Sequence, residues 1–153
     1  MYTSRKKFDG FSAVFRQWKA TTTHCSKLHG YAIFFDVEFG CTELDERNWC
    51  WDFGGMKRSK TLIDGFQPDK WLSYMFDHTT IIAQDDPCLK DFKELEAKGA
   101  LQLRVVYDVG CEKFAEYVFY QLDAFVKKET NGRVFINSVT CGEHEKNSAT
   151  FRK

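Results

Sequence analysis

The order of hydrophobic patterns predicts an α+β domain with helices packed on one face of an antiparallel sheet. Three observations carry that expectation: extended patterns open the chain, helical spacing dominates its second half, and a last alternating stretch closes it. An extended segment is expected from Phe8 to Arg16. After the polar linker Lys19 to Cys25, residues Tyr31, Ile33, Phe35, Val37 and Phe39 fall on one face while Asp36 and Glu38 fall on the other, as in a half-buried strand. These two strands should pair antiparallel across the long loop. Gly40 ends the second, and Trp49 to Phe53 leads through Gly54-Gly55 into a short helix expected around Met56 to Phe66.

Trp71 to Phe76 is mainly apolar, and Asp77-His78-Thr79-Thr80 interrupts it. Pro87 then opens a charged segment in which Leu89, Phe92 and Leu95 recur at helical spacing. Leu101, Leu103, Val105 and Tyr107 alternate with Gln102 and Arg104, giving a third strand. A long helix is expected from Cys111 to Lys128, where Phe114, Val118, Leu122, Phe125 and Val126 form an apolar stripe. Glu112 in its first turn and Lys127-Lys128 in its last complement the helix dipole, and Asn131-Gly132 stops it. Alternation from Val134 to about Glu143 supplies the fourth strand.

The 153 residues suit one domain over 1–153 with one sizeable core. Lys+Arg and Asp+Glu are both 22, so no net charge points to nucleic acid or a basic membrane surface. The basic start Met1 to Lys7 is not followed by the apolar segment of a secretory signal, and no run approaches the roughly 18 apolar residues of a membrane span. A soluble, cytoplasmic protein with reduced thiols is therefore expected, its six cysteines having no CxxC spacing. Aromatics reach 16% of the chain, and a small sheet with aromatic edges favours a homo-oligomer.

Three places can carry chemistry. Cys25 and His29 lie where the polar linker meets a strand, and a thiol beside an imidazole is a route to an activated sulfur nucleophile or base. In Asp77-His78 a carboxylate neighbours an imidazole it could orient as a general acid/base pair. Glu143, at the end of the last strand, could accept paired N–H bonds from a guanidine-like heterocycle edge. Each also has a plain reading as a core thiol, a turn or an exposed strand end.

In order along the chain, these pieces resemble the 6-pyruvoyltetrahydropterin synthase and 6-carboxytetrahydropterin synthase family. The family's opening strand, Phe-x-Ala-Ala-His, is matched by Phe11-Ser12-Ala13-Val14-Phe15, and its Cys-x-x-x-His-Gly-His by Cys25 to Tyr31. Its Asp-Phe falls on Asp52-Phe53, its Asp-His on Asp77-His78, the glutamate of its Pro-Thr-x-Glu on Glu112, and its last-strand glutamate on Glu143. The resemblance implies the tunnelling fold, with a four-stranded sheet that closes into a β-barrel between subunits of a trimer or hexamer. It further implies Cys25, Asp77 and His78 as catalytic groups, the Asp-His pair working from a neighbouring subunit, and Glu143 with Glu112 as the pterin contacts. The family's substrate is 7,8-dihydroneopterin triphosphate, which loses triphosphate and is rearranged to a pyruvoyl product, or to a carboxy product on the branch leading to 7-deazaguanine and queuosine.

The departure is at the metal. Three histidines hold zinc in the family, and here only His29 matches, Phe15 and Tyr31 standing at the other two positions. A catalytic zinc generally needs three protein ligands, so no metal cofactor is expected. Zinc brings the pKa of bound water from about 15.7 to about 7, and at about 1.36 kcal/mol per unit the upper limit of that help is roughly 12 kcal/mol. A thiol alone does not replace it. The expectation is a pterin-binding protein with lost or altered lyase activity. Two alternatives stand beside it: an active zinc enzyme whose metal is recruited by His29 with His24 or His144, and a non-catalytic oligomeric partner of a complete relative.

Overall fold

The computed structural model describes residues 1–153. Its sheet has six strands in the order β4-β3-β1-β2-β5-β6. These are β1 (Tyr2–Phe15), β2 (His29–Cys41), β3 (Thr79–Ala83), β4 (Leu103–Val106), β5 (Val134–His144) and β6 (Asn147–Arg152). The helices are the single turn α1 (Gly55–Arg58), α2 (Pro68–Phe76), α3 (Leu89–Ala97) and α4 (Cys111–Glu129).

The α+β class holds, but the expected four-stranded antiparallel sheet is corrected in count and direction. β1-β2, β2-β5 and β5-β6 are antiparallel, whereas β1-β3 and β3-β4 run parallel. β3 was expected as an interruption because all five of its residues are buried, which leaves no alternation to read. β6 shows only Ala149 and Phe151 turned toward the core. The helix expected from Met56 to Phe66 is also corrected. It stops at Arg58, Ser59 is extended, and Asp64 and Gly65 turn with φ of 49° and 85°. The helix forms instead behind Pro68, whose missing N–H costs nothing in a first turn.

One face of the sheet carries the core. Phe11, Phe15, Ile33, Phe35, Val37 and Phe39 pack there against Phe114, Val118, Leu122 and Phe125 of α4. On the opposite face Arg5 pairs with Asp36, Lys7 lies 4.3 Å from the Phe34 ring centroid, and Asn137 Nδ2 donates to Glu38 at 3.2 Å. Over β1, β2 and β5 that face has no helix, but over β3 and β4 it is covered by α3, whose Phe92 packs on Ile82 and Leu103 on the side away from Ile81 and Ala83 of the main core; helices therefore lie on both faces of the sheet, not on one as expected. No helix is long and apolar enough to cross a membrane.

Candidate functional site

A cleft of about 400 Å³ opens where β1, β2 and the ends of α4, β5 and β6 converge. β-strand alternation decides who reaches it: Tyr31 shares the core-facing register of β2 with Ile33, and Glu143 that of β5 with Cys141. Gly110, at φ 117°, turns the chain into α4 and brings Cys111 and Glu112 to the wall. Cys25 comes from the loop between β1 and β2, where Thr23 accepts from its N–H and caps a 3-10 turn over His24–Ser26. Cys25, Tyr31, Glu112 and Glu143, spread over more than a hundred residues of sequence, thus line one cavity.

The floor is aromatic. Phe15 stacks on Tyr31 with ring centroids 4.1 Å apart and meets Phe114 edge-on at 5.0 Å, while His29 lies 4.4 Å from the Tyr31 ring. Burial, reinforced by the charges of Glu143, Cys25 and Cys111, pushes the Tyr31 phenol up to about 12. It is therefore a neutral hydroxyl throughout the physiological range. Glu143 accepts from Asn147 Nδ2 at 2.9 Å, a bond made across the β5-β6 turn that leaves its carboxylate at the cleft. The buried Cys141 thiol is raised first by its hydrogen bond to Cys111 and then by desolvation, so it stays protonated.

Asp77 and His78 lie elsewhere. Asp77 accepts the Ser12 N–H at 3.0 Å and His78 Nδ1 at 3.0 Å, and the His78 N–H donates to the Ser12 carbonyl at 2.6 Å. The Ser12 N–H, with His78 in support, holds the Asp77 carboxyl below the usual carboxylate range against the opposing cost of desolvation. His78 has φ 56° and its side chain is 77% exposed. Ser12 precedes Phe15 on β1 by about 10 Å of strand, so this pair is turned to solvent outside the cleft.

The profile of the family described as 6-pyruvoyl tetrahydropterin synthase matches residues 4–153. The chain belongs to that family. No curated protein sequence matches it. Among solved structures, an uncharacterised protein of Wolinella succinogenes is similar with a TM-score of 0.79 at 20% identity, covering 99% of this chain and 98% of that one. The 6-pyruvoyl tetrahydropterin synthase of Caenorhabditis elegans gives 0.63 at 19%, covering 99% and 95%. That of Plasmodium vivax gives 0.64 at 13%, covering 100% and 99%. At these identities the likeness is one of fold.

For this member of the 6-pyruvoyl tetrahydropterin synthase family, the donor set does not fit the zinc that the family implies. The side chains at positions 15, 29 and 31 do converge, but two of them form a hydrocarbon-faced stack and one offers imidazole. No group of three or more His, Cys, Asp or Glu is arranged to hold a metal. His144 is engaged instead with Asn147 and the Lys146 N–H, and His29 Nδ1 lies 3.0 Å from the Lys27 carbonyl. Among the lining residues that the sequence does not single out are Cys111 and Asn147, beside Gln17, Thr23 and Ser148. Cys111 stands one residue before a glutamate that had been singled out, and Asn147 lies in a strand too weakly patterned to be read.

Proposed function

We propose that the chain binds a pterin-type ligand in the cleft, Glu143 and Glu112 taking its N–H-rich edge, with the family's lyase reaction lost or altered. The observation that carries the reading is the pairing of two carboxylates at one cavity with a Phe15-Tyr31 stack at the metal position. A flat heterocycle gains from an aromatic floor, and a charge-assisted pair of hydrogen bonds fixes its orientation. Cys25 lines the same cavity and is its exposed thiol, Cys111 being buried, so it is the candidate nucleophile or base most open to a ligand there. Tyr31 offers a neutral O–H to an oxygen of the ligand. In this reading Asp77 and His78 serve the cleft of a neighbouring copy within a homo-oligomer, since within one chain they face away from it.

The test is direct. Purified protein titrated with neopterin should quench or shift pterin fluorescence, and Glu143→Gln should weaken binding by about 1.5–3 kcal/mol, the cost of losing one partner of a charged hydrogen bond. Absence of any pterin binding by the unaltered protein would sink the reading. The zinc-enzyme alternative predicts about one zinc per chain after purification without added metal, and loss of turnover in His29→Ala. Metal-free protein with unchanged turnover removes it.

A further inference from the structure

The loop that carries Cys25 has little structure of its own, and its ties to the rest of the fold centre on one largely buried ion pair. Between the ends of β1 and β2 the chain forms only the 3-10 turn, none of whose residues is buried. Yet both limbs of the loop are tied to one place. Arg16, the residue after β1, grips Asp86 with two nitrogens, Nε to Oδ2 at 2.9 Å and Nη2 to Oδ1 at 2.6 Å. Its third nitrogen, Nη1, reaches the Ser26 carbonyl at 3.1 Å. The side chains of Arg16 and Asp86 are 18% and 1% exposed. Asp86 is held in turn by the Cys88 N–H at 2.8 Å. Next to it, Asp85 takes Trp18 Nε1 at 3.2 Å and Lys19 Nζ at 3.1 Å. Within the loop the Gln17 N–H donates to the Cys25 carbonyl at 2.8 Å. The turn after β3 is therefore the anchor for both ends of the Cys25 loop.

We infer that Arg16 and Asp86 are positioning residues for the candidate site: by holding Ser26, the guanidinium fixes Cys25 at the cleft wall and so sets how a ligand and the thiol meet. The inference rests on the cleft being a ligand site. The physical grounds are that a planar guanidinium with a buried bidentate partner has one direction left for its remaining N–H groups, and that direction is Ser26. Without it residues 17–19 would keep their ties to Asp85 and the Val109 carbonyl, but the limb from residue 20 to 27 that carries Cys25 would keep only bonds within the loop and would sample many positions.

Two variants separate positioning from mere stability. Arg16→Lys keeps a charge for Asp86 but cannot span both Asp86 and Ser26. The double variant Arg16→Met with Asp86→Leu removes the pair without leaving a buried charge, a replacement that commonly preserves stability. With urea midpoints close to the unaltered protein's, both should show faster amide exchange confined to residues 17–27, and alkylation of Cys25 by iodoacetamide at a changed rate. Neopterin affinity should fall about tenfold. Exchange and alkylation equal to the unaltered protein's in either folded variant would overturn the inference. If both variants fail to fold, exchange in the unaltered protein decides: protection of the Gln17 and Lys27 amides well above that of a free peptide supports the clamp, and none overturns it. If the unaltered protein binds no pterin, the functional reading fails, while the exchange and alkylation results still decide the clamp.

Discussion

At the scale of single residues, the chemistry of this cleft turns on positions 15 and 31. Histidines there would meet His29, because the three side chains already touch through the Tyr31 ring. The double variant Phe15→His with Tyr31→His should therefore bind about one zinc per chain, measurable by elemental analysis after dialysis, since three imidazoles and an open position make a catalytic-type zinc site. Metal content unchanged from the unaltered protein would show that the backbone there has drifted from ligand geometry. Tyr31 itself predicts an alkaline signature. Its folded pKa of about 12 lies above the 10.0 of a free phenol, so the stability this group contributes is fully present below pH 10 and lost as pH rises through about 12. Burial also raises Tyr117, so ultraviolet titration should show late-ionising tyrosines whose number falls by one in Tyr31→Phe. The substitutions at 15 and 31 were legible in the sequence, because a motif with fixed spacing exposes each departure from it. That the two replacements stack on each other was not, since residues sixteen apart in sequence meet only through the β1-β2 register, in which Ala13 opposes Tyr31 and Phe15 opposes His29.

Elements were legible in proportion to how much of each faces water. α4 shows both a polar and an apolar side and was read to within a residue or two, as was the half-buried β2. β3 has no polar face and was missed, and α1 with its following turn was read as one longer helix because Gly54-Gly55 and the apolar residues beyond them imitate a helix start. α4 is also where the energetics concentrate. Leu122 is fully buried between the sheet and the helix, and Leu122→Ala should lower the unfolding free energy by about 2–5 kcal/mol in urea titration, the transfer loss plus an unfilled cavity. A loss well under that would mean that the core collapses around the gap. The stripe of α4 thus does two things: its middle seals the core, and its first turn presents Cys111 and Glu112 to the cleft.

At the scale of the whole molecule, the sheet ends in two unpaired edges, β4 and β6, and on the face opposite the main core a helix, α3, covers only β3 and β4. Unpaired edges invite pairing with another copy, and Asp77 and His78 are turned outward where a neighbour could use them. Sedimentation should therefore give a multiple of the 17.9 kDa chain mass, and a monomer at every concentration tried would remove the shared-site reading of Asp77 and His78. Periodicity and motif spacing are properties of neighbours along the chain, and they carry the α+β class, the family and the long helix and single out Cys25, Glu112 and Glu143 as candidates. The six-stranded mixed sheet, the gathering of those residues around one cleft, the placing of Asp77 and His78 outside it, and the Arg16-Asp86 anchor of the Cys25 loop emerge from the folded chain. Each of these depends on strand register and on pairs separated by up to about a hundred residues, and a buried strand or a distant ion pair leaves no period in the sequence.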